Sequence, residues 1–149
     1  MTDFTVCHEQ NHKITELSNV FLYLIRERSM CDTECARNLF FEYVSRVREH
    51  MEKVDAQICG HLIQTQDRDM TNTANRFLAG SQEIKRIFAT YVRDWSDERR
   101  RELRIGDHDA FVRDTNQVFG LVMDRIQRET EHLYPLVRKL EQPRPASVA

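Results

Sequence analysis

Three residues late in the chain carry side chains suited to chemistry, at a spacing that brings them together. In "GLVMDRIQRETEHLYPLVRKL", residues 120–140, Arg125, Glu129 and His132 follow one another at intervals of four and three. On a helix such intervals place side chains about one turn apart on the same side. That side lies close to the stripe of Val122, Ile126, Leu133, Leu136 and Leu140, which marks an amphipathic helix with one face in a core. A guanidinium and a carboxylate near a core face must find partners, because an unpaired buried charge is far costlier than a neutral polar group.

Histidines offer metal chemistry. His8 and His12 are four residues apart, and His50 sits between Val47 and Val54. Helical bundles bind metals through carboxylates and histidines on facing helices, often three or four residues apart. Glu49 and Asp55 lie off the helical face of His50 and would pair with it poorly. Arg125 argues against a metal beside it, since a guanidinium is always charged and has no lone pair to give. The favoured reading is therefore no metal. A bound metal would have to draw on His8, His12, His50, Glu129 and His132, with His61 in reserve.

Other reactive groups read more plainly. Cys7, Cys31, Cys35 and Cys59 form no Cys-x-x-Cys pair. Cys31 and Cys35, one turn apart, read either as a vicinal thiol pair or as ordinary reduced thiols, and the second is favoured. Arg99, Arg100, Arg101 and Arg104 would attract an anion or an acidic partner, but cations are also favoured at a helix C-terminus. No Ser-His-Asp or Cys-His arrangement with supporting loops and no glycine-rich phosphate loop is present, so the chain reads as non-enzymatic.

The elements that must position these groups are helices. In 149 residues there are only 4 Gly and 3 Pro, hence few turns and long helices. The first is expected from about residue 7 to 28, with Ile14, Leu17, Phe21 and Leu24 as its stripe. The second is expected from an Asp32 or Thr33 cap to about residue 66, with Phe40, Val44, Val47, Met51, Val54, Ile58 and Leu62. The third begins at a Thr71 or Asn72 cap, carries Phe77, Ile84, Phe88, Tyr91 and Trp95, and ends in "DERRRELR". The fourth starts at an Asp107 cap and runs to about Leu140, with Pro135 kinking its last turns. Nothing alternates with period two long enough for a strand. The expected fold is all-α: one antiparallel up-down-up-down four-helix bundle over residues 1–140, with a disordered tail at 141–149.

Composition limits the function classes. Hydrophobic residues are 40% and charged residues 31%, enough for one core and a solvated surface. A net charge of -2 gives no bulk attraction for nucleic acid, and direct nucleic-acid binding is not expected. No apolar run approaches the roughly 18 residues of a membrane span. The start, "MTDFTVCHEQ", has no secretory pattern, so a cytoplasmic location is expected.

Each expected helix interrupts its apolar stripe. The interruptions are Gln10 or Asn11 in the first, His50 in the second, Ser81 in the third, and Arg125 with Glu129 in the fourth. Singly, Ser81 reads as a small packing residue, His50 as a boundary histidine, and Arg125 as a snorkelling side chain. Together they describe one polar layer across the bundle interior. On that reading Arg125→Leu destabilises the bundle by about 3 kcal/mol or more.

"REHMEKVDAQI" and "DRIQRETEHLYPLV" resemble the hemerythrin-like (HHE) cation-binding bundle. That family reads His-apolar-x-x-Glu-Glu in two helices, with Leu-Phe/Tyr-Pro after the second, as in "HLYPL". The resemblance implies a di-iron centre, yet only part of its ligand set is matched. His50 matches one histidine, but its carboxylate partner falls on Val54, beside Asp55. The third-helix histidine falls at about Ser81. The fourth-helix histidine falls on Arg125, while its carboxylate is kept as Glu129. The resemblance thus implies the fold with its metal site lost.

The chain is also similar to the Rsd/AlgQ family of bacterial anti-sigma regulators, which share this loss. The similarity lies in His8 and His12, in Ser81-Gln82-Glu83-Ile84, in Arg125-Ile126-Gln127-Arg128-Glu129, and in Asp107-His108-Asp109. That family's tryptophan-rich first helix has no counterpart, Trp95 being the only Trp. It implies a regulatory protein that binds the promoter-recognition region of the main sigma factor and keeps it from RNA polymerase. An acidic surface for that basic partner would use Glu49, Glu52, Asp55, Asp67 and Asp69. The alternative is a hemerythrin-like protein with non-haem iron, acting in oxygen or redox sensing or in iron binding.

Overall fold

Helix α1, Asp3–Leu24, opens a computed structural model that describes residues 3–141. The expected tail lies, from residue 142 onward, outside the described residues. A 3-10 turn, Arg28–Asp32, leads to Thr33, whose side chain accepts from the Ala36 amide and caps α2, Glu34–Lys53. Helical backbone continues through a π-helical segment, Val54–Cys59, into α3, Gly60–Gln64. Gln66 at φ 61° breaks the path. Asp67, accepting from the Met70 amide, caps α4, Arg68–Trp95. The cap is therefore Asp67 and not Thr71 or Asn72, because the left-handed Gln66 turns the chain just ahead of a carboxylate able to hold a free amide.

The end of α4 also departs from expectation. The helix stops at Trp95, where Ser96 takes an extended φ of -152° and gives its hydroxyl to the Val92 carbonyl. Strand β1, Ser96–Asp97, then pairs antiparallel with β2, Glu102–Leu103. Strands of two residues are too short to leave a period-two pattern. The arginines of "DERRRELR" therefore lie on and beside a hairpin and not on a helix C-terminus. Arg101 covers the Phe41 ring at 4.8 Å, Arg104 pairs with Asp97 at 2.9 Å, and Arg99 and Arg100 are exposed.

Asp107 caps α5, His108–Arg128, as its sequence position implies. A second π-helical segment, Glu129–Leu133, carries the chain into α6, Tyr134–Glu141. The described chain is thus mostly helical, an all-α, bundle-like fold.

Packing explains the arrangement. Phe21, Phe40, Tyr43, Phe111 and Phe119 are fully buried, with Tyr43 stacked on Phe119 at 3.9 Å. They centre the larger of two apolar clusters, which runs from Ile14 to Ile126. The smaller holds Cys7, Val54, Ile58, Cys59, Leu62, Ala74, Leu133, Tyr134 and Val137. The order in which the helices meet these clusters alternates. Helix α1 passes from Cys7 to Ile14, smaller to larger, and α2 leads from Val47 to Val54 in the π-helical segment, larger to smaller. Helix α4 goes from Ala74 to Ile84, smaller to larger, and α5 leads from Ile126 to Leu133, larger to smaller. Each path crosses the boundary between clusters once; Asn11, Ser81 and Glu129 lie at those crossings, and His50 and Arg125 lie within about a turn of them on the larger-cluster side.

Candidate functional site

Glu129 is the centre of the boundary layer. It is fully buried, while Arg125 is 5% and His50 2% exposed. Glu129 Oε1 accepts from His50 Nε2 at 2.8 Å and from the Tyr134 hydroxyl at 3.4 Å. Its Oε2 accepts from Arg125 Nε at 3.0 Å. A carboxylate with this many donors meets the condition under which a buried charge is tolerated.

The layer closes through partners on every long helix. From α1, Asn11 Nδ2 donates to the Tyr134 hydroxyl at 2.7 Å, and the Gln10 amide meets His50 Nδ1 at 3.0 Å. Arg125 Nη1 donates to the Phe77 carbonyl at 2.8 Å, and its guanidinium lies over the Phe77 ring at 4.7 Å. Arg125 Nη2 has Asp55 Oδ1 at 3.9 Å. Asp55 Oδ2 accepts from the Ser81 hydroxyl at 2.6 Å and from Lys85 Nζ at 2.7 Å. Two carboxylates, a guanidinium and an ammonium thus offset one another around one imidazole. A methyl group at Gly80 would stand 3.1 Å from Arg125 Nη1, so this glycine makes room for the guanidinium.

Two π-helical segments run through the layer. The Gly60 amide bonds to the Asp55 carbonyl and the Tyr134 amide to the Glu129 carbonyl, each five residues back. A π turn inserts one residue into the helical register and re-aims the side chains beyond it. Both carboxylates of the layer sit in such turns.

The burial shifts neighbouring acids. It pushes the Cys59 thiol from 9.0 up to about 12, with Asp55 and Glu129 adding to the rise and Arg125 opposing it. It also pushes the Tyr134 hydroxyl upward, with the charge of Glu129 adding to the effect.

The structure brings Asn11, His50, Ser81, Arg125 and Glu129 into one interior layer. It does not gather His8, His12, His50, Glu129 and His132. His8 is exposed, edge-on to Tyr134 at 6.4 Å. His12 is exposed beside Glu16 at 3.5 Å, and His132 is exposed beside Glu131 at 3.7 Å. His61 is exposed as well. The reason is helical register: α1 turns Cys7, Asn11 and Ile14 inward, which puts His8 and His12 outside. Among the described residues no three His, Cys, Asp or Glu side chains are grouped to hold a metal.

Asp55 needs two corrections. It is not an exposed member of an acidic face, and it joins the layer although a straight helix places it off His50. Gln10 and Asn11, the two candidates for the first stripe's interruption, both join the layer, whereas Lys85 and Tyr134 are members that no interruption of a stripe marks. "HLYPL" contains Tyr134, but nothing in its spacing aims the hydroxyl at Glu129. Cys31 and Cys35 also part company: Cys31 is buried with its thiol toward the Ile25 carbonyl, and Cys35 is exposed on α2.

Fold and site together define a helical, bundle-like protein with a charged, hydrogen-bonded layer between two apolar clusters. Comparison with known proteins finds no family model, no curated protein and no solved structure that matches the chain.

Proposed function

We propose that this protein is a non-enzymatic regulatory binding module of the anti-sigma type, on an up-down-up-down, hemerythrin-like bundle whose metal site has been replaced. The observation that carries the reading is Arg125. It is buried and bonded to Glu129 at the position the resemblance gives to a histidine ligand. A fixed cation there supplies the positive charge that Glu129 would otherwise take from a metal. The alternating order of the two apolar clusters along the chain supports the up-down-up-down arrangement.

The partner under this reading is the basic promoter-recognition region of the main sigma factor, met in the cytoplasm. Glu49, Glu52, Asp67 and Asp69 are exposed and remain as the acidic contacts, while Asp55 is withdrawn into the layer. Titration of the full chain with that sigma region tests the proposal. A saturable complex that weakens with salt and on Glu49→Lys with Glu52→Lys is expected. No complex at low salt would contradict it.

The non-haem iron alternative has one observation in its favour, the adjacency of His50 and Glu129. The donor set does not fit a di-iron centre. His50 Nε2 and both Glu129 oxygens are already engaged, and a guanidinium 3.0 Å from Glu129 would repel a divalent ion.

A further inference from the structure

Arg125 faces two ways. Its inner side bonds Glu129; its outer side forms the back of a cleft of about 460 Å³ between α4 and the α5–α6 path. Phe77 and Leu136 give the cleft apolar walls, and Arg76, Arg128 and His132 line it as well. A space of this size suits a small organic molecule.

The charged side chains that line the cleft are all basic, although Arg125 is itself paired with Glu129 behind the wall. No Asp or Glu is among its lining residues. Among the described residues neither Arg76 nor Arg128 makes an ion pair; Arg76 has only the Thr73 hydroxyl at 3.4 Å. His132 has Glu131 beside it at 3.7 Å. Arg125 uses Nε on Glu129 and one Nη1 hydrogen on the Phe77 carbonyl, and Asp55 Oδ1 stands 3.9 Å from Nη2, beyond hydrogen-bond distance, which leaves further N–H groups of its five without a hydrogen-bond acceptor. Nη1 sits over Gly80, itself part of the cleft wall, so the guanidinium is held against the open space. A fixed guanidinium behind two free ones is an arrangement that recognises oxyanions, and the aromatic wall favours an anion with an apolar body.

We propose that this cleft binds a small organic anion, a carboxylate or phosphate ester, with its oxyanion between Arg76, Arg125 and Arg128 and its apolar part against Phe77 and Leu136. The proposal does not depend on the sigma-factor reading. Because Arg125 also holds Glu129, an occupant of the cleft would touch the buried layer directly.

Calorimetric titration of the full chain with phenyl phosphate, benzoate, inorganic phosphate and uncharged benzyl alcohol tests it. Saturable binding of phenyl phosphate or benzoate is expected, and whichever binds more tightly identifies the phosphate or the carboxylate as the preferred group. Binding should weaken at least about tenfold in the double variant Arg76→Gln, Arg128→Gln. Both residues are exposed, so this variant should keep its thermal unfolding transition. The proposal is overturned if neither organic anion binds or if the double variant binds as tightly. Benzyl alcohol matching the anions, or inorganic phosphate matching phenyl phosphate, would overturn it too.

Discussion

Arg125 is the side chain on which the buried layer depends most. Arg125→Leu should cost about 3 kcal/mol or more, because the buried Glu129 would lose its fixed counter-charge. Adding Glu129→Leu should recover part of that loss, since replaced buried pairs often cost little, though His50 and Tyr134 would lose an acceptor. Urea unfolding of the single and double variants measures both, and a neutral Arg125→Leu would contradict the layer. Cys59 makes a different kind of prediction. Its thiol ionises near 9.0 when unfolded and near 12 in the fold. Its contribution is complete below pH 9.0 and lost as pH rises toward 12, with a slope approaching about 1.4 kcal/mol per pH unit. Alkaline urea melts should show this limb and Cys59→Ala should reduce it. Thiol labelling should find Cys35 reactive in the native protein and all four cysteines reactive in urea. At this scale Asn11, His50, Ser81, Arg125 and Glu129 are legible because each breaks an apolar stripe. Asp55, Lys85 and Tyr134 are not, because their roles depend on reach across helices and not on period.

Helix starts are legible where a cap residue stands alone. Asp107 is an example, Thr33 is one of two adjacent candidates with Asp32, and Asp67 is hidden by the polar run "DRDMTN" around it. Asp107→Ala should cost about 1 kcal/mol, read as a lower unfolding midpoint, since the Ala110 amide loses its acceptor. The π-helical segments have no visible signature. They add one residue to a turn without changing which residue types are apolar, so a 3.6-residue count passes over them. Their effect is large all the same: Asp55 reaches Ser81, Lys85 and the neighbourhood of Arg125 from inside one. Gly80→Ala should be felt through α4 as well. The added methyl must displace Arg125 Nη1, so stability should fall although alanine is the better helix former. A gain in stability would mean the guanidinium is free to move aside.

For the molecule as a whole, scarcity of Gly and Pro and four long apolar stripes are enough to read a mostly helical fold. The split of its core into two apolar clusters is not readable, because stripe positions look alike whichever cluster they join. That split gives the polar layer a physical role. Sliding any helix along its axis by a turn would bring charge against aliphatic side chains, so the layer fixes register. The same layer is where the resemblance to a metal-binding bundle and the regulatory reading part. Metal content of the full chain, purified and then reconstituted with iron or manganese under reducing conditions, separates them most directly. The expected result is no stoichiometric metal and no oxygen-dependent absorption band. Stoichiometric iron or manganese with such a band would contradict the assignment of Arg125 as the cation that stands in a metal's place.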